Sequence, residues 1–541
     1  MNDYLSAVNS AQLYAIVAVL LVVMTAVCAV FLVKSYRAGV KLGMDKKLLR
    51  RTITASATYM KLSHLIGAAV AAPAAICAAR ALAAKPTAAV NAKIDLKNDD
   101  RAVGYGQKLS QMVRCETISS RSAQNVEKFK NFHRVLAELF PHVHANCEKH
   151  DFDGSLLFKW AGRGEADPII LMSHQDVVEA GGKWKHEPFS GDIDEKGRVW
   201  GRGTVDTKAS LFCIFTALEE LMESGFVPAG DVYIASSCTE EFSGPGAPAT
   251  VEYLKSQGVR PSLVLDEGGM ILESPMAGVK GLYAMVGVVE KGYADVKFTA
   301  RSRGGHASAP GKNTPLVRLG RFMADIEDHP PFVRQLSPTM EEMLRRLAPN
   351  MGFGLKAVLS NLWLFKPLLL KVLPEINAAA GAMTQTTLAF TTAKGSDGLN
   401  VLPQEAFVTG NMRLIQHQDG PASFEAVKKI AAKYGIETEV LYEDAPGPVV
   451  SHASKQFRLI EEVTAEIYPG VQVTPYVMTG GTDAKFYKEI CPNCIRFAPL
   501  YIDEQQYGSV HALNENIYQG ALPYGVDFYK QVIRKMSGIE A

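Results

Sequence analysis

Pro168-Ile-Ile-Leu-Met-Ser-His174-Gln-Asp176 is an apolar run that stops at an imidazole and a carboxylate. Four apolar residues without alternation, bounded by polar ones, read as a strand buried on both faces, as in parallel sheets. The pattern recurs. Asp231-Val-Tyr-Ile-Ala-Ser-Ser237 leads into Thr239-Glu240-Glu241, and Pro261-Ser-Leu-Val-Leu265 leads into Asp266-Glu267-Gly268-Gly269. Between the first two, Gly201-Arg-Gly203-Thr-Val-Asp206 precedes a helical stretch, Thr207 to Ser224, stopped by Gly225. In open α/β sheets, sites gather at the carboxyl ends of the strands. One histidine at a strand end is most often structural. That His174, Asp206, Glu240, Glu241 and Asp266 all reach one crevice by chance is a poor alternative.

Imidazole and carboxylates suit a borderline divalent ion such as zinc, with no thiolate required. An aspartate can bridge two ions with its two oxygens, and two ions ~3.5–4 Å apart clamp both the attacked oxygen and the nucleophile. One carboxylate must stay free as a base. Adjacent Glu240 and Glu241 allow that division, one binding metal and the other moving protons. The last ligand is a distant histidine, and His511 in Gly508-Ser-Val-His511-Ala-Leu-Asn514-Glu515 is the best placed.

These residues, in this order, resemble the di-zinc exopeptidase and aminoacylase family called peptidase family M-twenty. The signature is His174-Gln-Asp176-Val-Val, Trp184, Pro188-Phe189-Ser-Gly191 and Gly201-Arg-Gly203-Thr-Val-Asp206-Thr-Lys208. It is similar to the branch containing carboxypeptidase S, Gly-Xaa carboxypeptidases and secreted hydrolases of N-fatty-acyl amino acids. The resemblance runs from Ala102 to the C-terminus. It implies an α/β catalytic domain with a mixed sheet and two zinc ions per chain, one exchangeable for Co2+ or Mn2+. His174 and Asp266 would hold one ion, Glu241 and His511 the other, with Asp206 bridging. Glu240 would be the general base, and Asp176 would hydrogen-bond His174 and fix its tautomer. A cis peptide after Asp206 is implied as well.

From Val286 the pattern changes to strand, helix, strand, strand, helix, strand: Gly292–Arg301, Thr314–Asp328, Thr386–Ala393, Glu405–Leu414, Pro421–Tyr434 and Glu437–Leu441. That order is ferredoxin-like. In the resembled family it forms an inserted lid that also makes a homodimer. There His306, in Gly304-Gly305-His306-Ala-Ser308, would donate to the scissile carbonyl oxygen in the partner's site; its alternative is a solvated turn histidine. Arg413 would grip the substrate carboxylate, helped by Asn400, a task that suits a planar guanidinium fork. Gly480, Gly481 and Thr482 resemble a substrate-binding glycine loop with backbone groups facing the ligand. The lid carries an apolar insertion, 335–382, read as buried helix, acyl-chain groove or bilayer contact.

The organisation expected is a membrane anchor (1–84), a linker (85–100), a catalytic domain in two parts (101–285 and 446–541) and the lid (286–445). Leu13 to Val33 is long enough for one bilayer crossing. No Lys or Arg precedes it, whereas Lys34, Arg37, Lys41, Lys46, Lys47, Arg50 and Arg51 follow, so the N-terminus faces outward. If a second apolar stretch, 65–79, also spans, the catalytic domain lies outside the cytoplasm; as an interfacial or buried helix it leaves that domain inside.

Lysine and arginine number 57 against 56 acids, a balance that gives no reason to expect the concentrated basic surface of a nucleic-acid binder. Cys491-Pro-Asn-Cys494 has redox spacing but reads better as a local disulfide or two inert thiols. The leading function is a metallo-carboxypeptidase of short peptides. The alternative is an aminoacylase of N-acyl, including fatty-acyl, amino acids. A membrane receptor without catalysis would lack a ligand or the base, and none is missing.

Overall fold

The computed structural model describes residues 73–122 and 124–538, with isolated positions between 40 and 54. The apolar run 13–33 and the start of the stretch 65–79 lie outside the described residues. Among the described residues no single helix is long and apolar enough to cross a membrane. The end of the second stretch falls in a short apolar helix, Pro73–Ala83.

Two compact units emerge: a large one, Thr87–Leu347 with the chain from Lys366 onward, and a small one of 348–365 with the described residues before Thr87. In the small unit Asn361 donates to the Cys77 carbonyl and Lys356 to that of Ala84, both at 3.1 Å. Phe353, Leu355, Trp363 and Leu364 stay exposed there.

The large unit is built on an eight-stranded sheet. Its strands are β1 (Glu148–Phe152), β2 (Ser155–Trp160), β3 (Ile169–Met172), β5 (Val232–Ser236), β6 (Leu263–Glu273), β7 (Leu282–Glu290), β14 (Gln472–Met478) and β15 (Cys494–Ile502). They run in the order β1-β2-β5-β3-β6-β15-β7-β14, and β5, β3, β6 and β15 are mutually parallel. The pairs β1–β2, β2–β5, β6–β7 and β15–β7 are antiparallel while β14 runs parallel to β7, so the sheet is mixed. Every residue of β3 and β5 is buried, which accounts for their unbroken apolar sequence. The helix Lys208–Glu223 is buried almost all round, as its apolar composition requires. β3, β5 and β6 therefore deliver the chain that follows them to one edge of the sheet.

A second, antiparallel sheet comprises β8 (Gly292–Arg301), β10 (Thr387–Lys394), β12 (Glu405–Leu414) and β13 (Ile436–Asp444), in the order β10-β12-β8-β13. Side chains of β12 alternate between buried and partly open, the period of a sheet covered on one face. The helices Pro315–Asp328 and Gly420–Lys433 supply that cover, with Phe298, Phe322, Leu319 and Val427 in the shared core. Two short ribbons complete the strands, β9 (Gly305–His306) with β11 (Val401–Leu402) and β4 (Arg198–Trp200) with β16 (Asn516–Tyr518). The insertion 335–382 forms the helices Pro338–Leu347, Phe353–Leu359, Leu362–Ile376 and Ala378–Ala382. Cys491 and Cys494 are free, buried thiols, the second of the two arrangements read from their spacing.

Candidate metal centre and active site

Asp206 lies between two histidines. His174 Nε2 is 2.9 Å from its Oδ1, and His511 Nε2 is 3.0 Å from its Oδ2. One carboxylate thus faces a different imidazole with each oxygen, which is the placement a bridging ligand needs. His511 Nε2 is also 3.1 Å from Glu241 Oε2. The loop that presents Asp206 is held by a buried acid with no role in the sequence reading. Glu515 accepts from the backbone N–H of Gly203, Val205 and Asp206, and from Arg202 at 2.7 Å. The peptide Asp206–Thr207 is cis, as the resemblance implies.

Asp266 and Glu267 depart from the expected ligand set. β6 does not stop at Leu265 but continues to Glu273, paired with β15. Arg496 pairs with Asp266 and Phe497 with Gly269, so Glu267 and Gly268 bulge out of the ladder. A bulge re-aims a side chain, and Gly268, at φ +125°, takes a backbone conformation that side chains resist. Glu267 Oε1 comes 3.5 Å from His174 Nε2. The Asp266 oxygens instead accept from the N–H of Glu267 and Ala484, at 2.9 and 2.8 Å. Glu267, not Asp266, lines the pocket with Asp206, Glu240, Glu241 and His511.

Asp176 acts differently from expectation too. His174 Nδ1 meets its backbone carbonyl at 2.9 Å, and the carboxylate stands farther off at 3.5 Å. That carboxylate accepts from Ser119 Oγ and from the N–H of Glu240 and Glu241, so it positions the two glutamates.

Burial would raise Asp206, but hydrogen bonds to His174 and His511 outweigh it and hold its carboxyl below the usual range. Hydrogen bonds to Asp206 and Glu241 lift His511 to about 10. Burial, with neighbouring acids adding to it, pushes Glu240 and Glu267 well up, and Asp483 to about 8. So many acids in one pocket call for cations. The ligand atoms of His174, Asp206 and Glu241 lie within 4.8 Å of one another, as do those of His174, Glu240 and Glu267. Glu241 Oε1 is buried with no hydrogen-bond partner among the described residues, an arrangement that costs free energy unless a cation takes that oxygen. The donor set of imidazoles and carboxylates fits zinc-like ions.

The pocket measures about 450 Å³, and Gly480 and Gly481 form part of its wall. Arg413 Nη1 and Lys485 Nζ come within 3.9 and 4.0 Å of where a Cβ on Gly481 would sit. The Arg413 guanidinium stacks 4.9 Å over Tyr293 and donates to Asn411 at 3.2 Å, leaving most of its fork for a ligand. Lys485, which the sequence reading missed, donates to Ser243 at 2.8 Å. Thr482 turns away, its N–H and hydroxyl both bonded to the buried Glu290. Asn400 is not beside Arg413: its carbonyl accepts from Ala307 on the exposed ribbon that carries His306. His306 does not line its own chain's pocket; it bonds Ser308 at 2.7 Å.

A mixed α/β sheet with paired histidines and carboxylates at its strand ends has the make-up of a metal-dependent hydrolase. Residues 170–535 match the model of peptidase family M20/M25/M40, and the chain belongs to that family. It is similar to a carboxypeptidase S-like protein of Dictyostelium discoideum, 30% identical over 80% of this chain and 85% of the relative. It is similar as well to the human N-fatty-acyl-amino acid synthase/hydrolase PM20D1, 30% identical over 80% of this chain and 88% of the relative. Among solved structures, an M20 family metallo-carboxypeptidase of Sulfolobus solfataricus shares the fold, with a TM-score of 0.58 at 18% identity, covering 80% of this chain and all of that one.

Proposed function

We propose that the chain hydrolyses the amide bond between an acyl or aminoacyl group and an amino acid with a free carboxylate, using two zinc ions. Carrying this reading is the pair of cations, Arg413 and Lys485, flanking Gly481 on the wall of the acid–imidazole pocket. Either a short peptide or an N-acyl amino acid meets that requirement. The names of the carboxypeptidase S and N-fatty-acyl-amino acid hydrolase relatives support both.

We assign His174 and Glu267 to one ion, Glu241 and His511 to the other, and Asp206 to both. Bound there, the ions would supply Lewis-acid polarisation of the scissile carbonyl and acidify water. Glu240, raised by burial, takes a proton from the attacking water and returns it to the departing nitrogen. Arg413 and Lys485 orient the substrate through its carboxylate. The ribbon of His306 and Asn400 serves a partner subunit of a homodimer; in support, His306 is exposed and absent from its own pocket. We also propose a bilayer anchor at 13–33 followed by a second span at 65–79, which together place the catalytic unit outside the cytoplasm; the basic residues between the two stretches support that hairpin.

Matched substrates ending in a carboxylate or a carboxamide test the reading. Hydrogen bonds to charged groups are worth ~1.5–3 kcal/mol each, so the acid should be cleaved at least about tenfold more efficiently. The double variant Arg413→Ala, Lys485→Ala should lose that preference. Equal cleavage of both substrates by the zinc-loaded wild type would overturn the proposal.

A further inference from the structure

The small unit presents apolar side chains that the amide-hydrolase reading does not use. Phe353, Leu355, Trp363 and Leu364, at the tip of the insertion, are each 42–55% exposed. Ile76 and Leu82, on the helix Pro73–Ala83 of the same unit, are exposed as well. Scattered exposed apolar groups are ordinary, but this many large ones in so small a unit mark a contact surface. Sequence left the insertion as buried helix, acyl-chain groove or bilayer contact; at its tip, exposure excludes the first. The segments 73–86 and 348–365 also carry Arg80, Lys85 and Lys356 and no acid, a composition suited to hydrocarbon edged by phosphate.

The insertion is fastened to the helix Pro73–Ala83 at a defined height. Asn361, fully buried, donates from Nδ2 to the carbonyls of Cys77 and Ala357, at 3.1 and 2.8 Å. Lys356 Nζ donates to the Ala84 carbonyl at 3.1 Å. At a rise of ~1.5 Å per residue, Cys77 lies ~3 Å inside the end of the stretch 65–79, and Ala84 lies ~8 Å beyond it. The two bonds therefore bracket the level at which the proposed second span leaves the hydrocarbon. Trp363 suits that level. Its indole N–H, the only donor of the ring, is bonded to Asn361 Oδ1 at 3.2 Å, so the ring can leave water without stranding a polar group. The helix Phe353–Leu359 and the next, from Leu362, are together apolar enough for a bilayer but meet at 105°, too sharp a bend for one straight span.

We infer that the tip of the insertion, 353–365, is a membrane-contact surface that lies in the interface of a lipid bilayer, with Phe353, Leu355, Trp363 and Leu364 against lipid. The inference rests on the second span proposed above, because the Asn361–Cys77 bond sets the tip level with the end of that span. Tryptophan belongs at such a boundary, where its ring is apolar enough for the acyl region. Lys356 reaches from its apolar helix toward the headgroups, as long basic side chains do at interfaces.

The test places the full chain in vesicles of phosphatidylcholine and phosphatidylglycerol, with and without phosphatidylcholine brominated on its acyl chains. Bromine quenches only indoles that touch it. The other tryptophans, Trp160, Trp184 and Trp200, belong to the large unit, so Trp363→Phe isolates the signal of the tip. Brominated lipid should quench the wild type, and Trp363→Phe should remove most of that quench. Leu355→Trp added to Trp363→Phe should restore it, and Leu355→Trp alone should deepen it, which keeps the test alive if Trp363→Phe does not fold. A Trp363 signal that aqueous iodide quenches and brominated lipid does not would mean a face open to water. Protection from both quenchers would mean that a second copy or another protein covers the face. Either result overturns the lipid contact. Reporter fusions after Pro86 read the span separately. Activity outside the cytoplasm without lipid quenching overturns this contact alone, whereas activity confined to the cytoplasm overturns the span beneath it.

Discussion

Asp266 and Glu267 are adjacent acids with opposite assignments, and substituting each in turn separates ligand from scaffold. Asp266 is 2% exposed and accepts from two backbone N–H groups. Asp266→Ala leaves both without an acceptor, at about 1–3 kcal/mol each, so the metal-free protein should lose about 2–6 kcal/mol. Glu267→Gln keeps the shape and removes one charge. Burial and the surrounding acids already push the Glu267 carboxyl well up, so its ionised form opposes folding at neutral pH. The metal-free Glu267→Gln protein should therefore be as stable as the wild type or more so. Zinc reverses the ranking. An ion present at a thousand times its Kd adds about 4 kcal/mol. The wild type and Asp266→Ala should both show the shift of two ions, and Glu267→Gln that of one. Urea unfolding with and without buffered zinc, alongside metal analysis, reads both quantities. If Asp266→Ala holds one ion and Glu267→Gln holds two, the bulge does not set the ligand and the reasoning fails.

Glu240→Gln should keep two zinc ions and lose about 10²–10⁴ in kcat, the usual range for a general base; a loss below tenfold would place the base elsewhere. Lys291 is buried among the Ala382 and Gln385 carbonyls and Thr387; burial first, then Arg413, lowers its pKa to about 7. The unfolded chain keeps that proton to about 10.4, so between these values it binds more protons than the folded one, and stability rises with pH. The urea midpoint of wild type minus that of Lys291→Met should climb from pH 6.5 to 9, and a flat difference would count against a neutral lysine. Finally, mixing His306→Ala chains with Glu240→Gln chains should restore part of the activity, because a heterodimer holds one site with both groups intact. No recovery despite proven subunit exchange would mean that each chain completes its own site.

Much of this was legible in the linear sequence, for a physical reason. Strands buried on both faces must be apolar throughout, so the first polar residues after them are conspicuous, and His174, Glu240 and Glu241 stand out that way. β8 and β12 could be bounded to the residue, Gly292–Arg301 and Glu405–Leu414, because alternation and turn residues mark their ends. Asp266 against Glu267 could not be decided in this way. Neighbours on a regular strand face opposite sides, and which side meets the crevice depends on a bulge set by pairing with Arg496 and Phe497, more than two hundred residues away. Glu515 was hidden for another reason: its partners are backbone N–H groups, which every residue but proline has and no motif announces. Lys485 follows a glycine loop and looks like any solvated lysine until Arg413, on another sheet, arrives beside the same glycine. What local sequence carries is which groups are too polar to bury unpaired; which partner each one finds is decided by pairing across the fold.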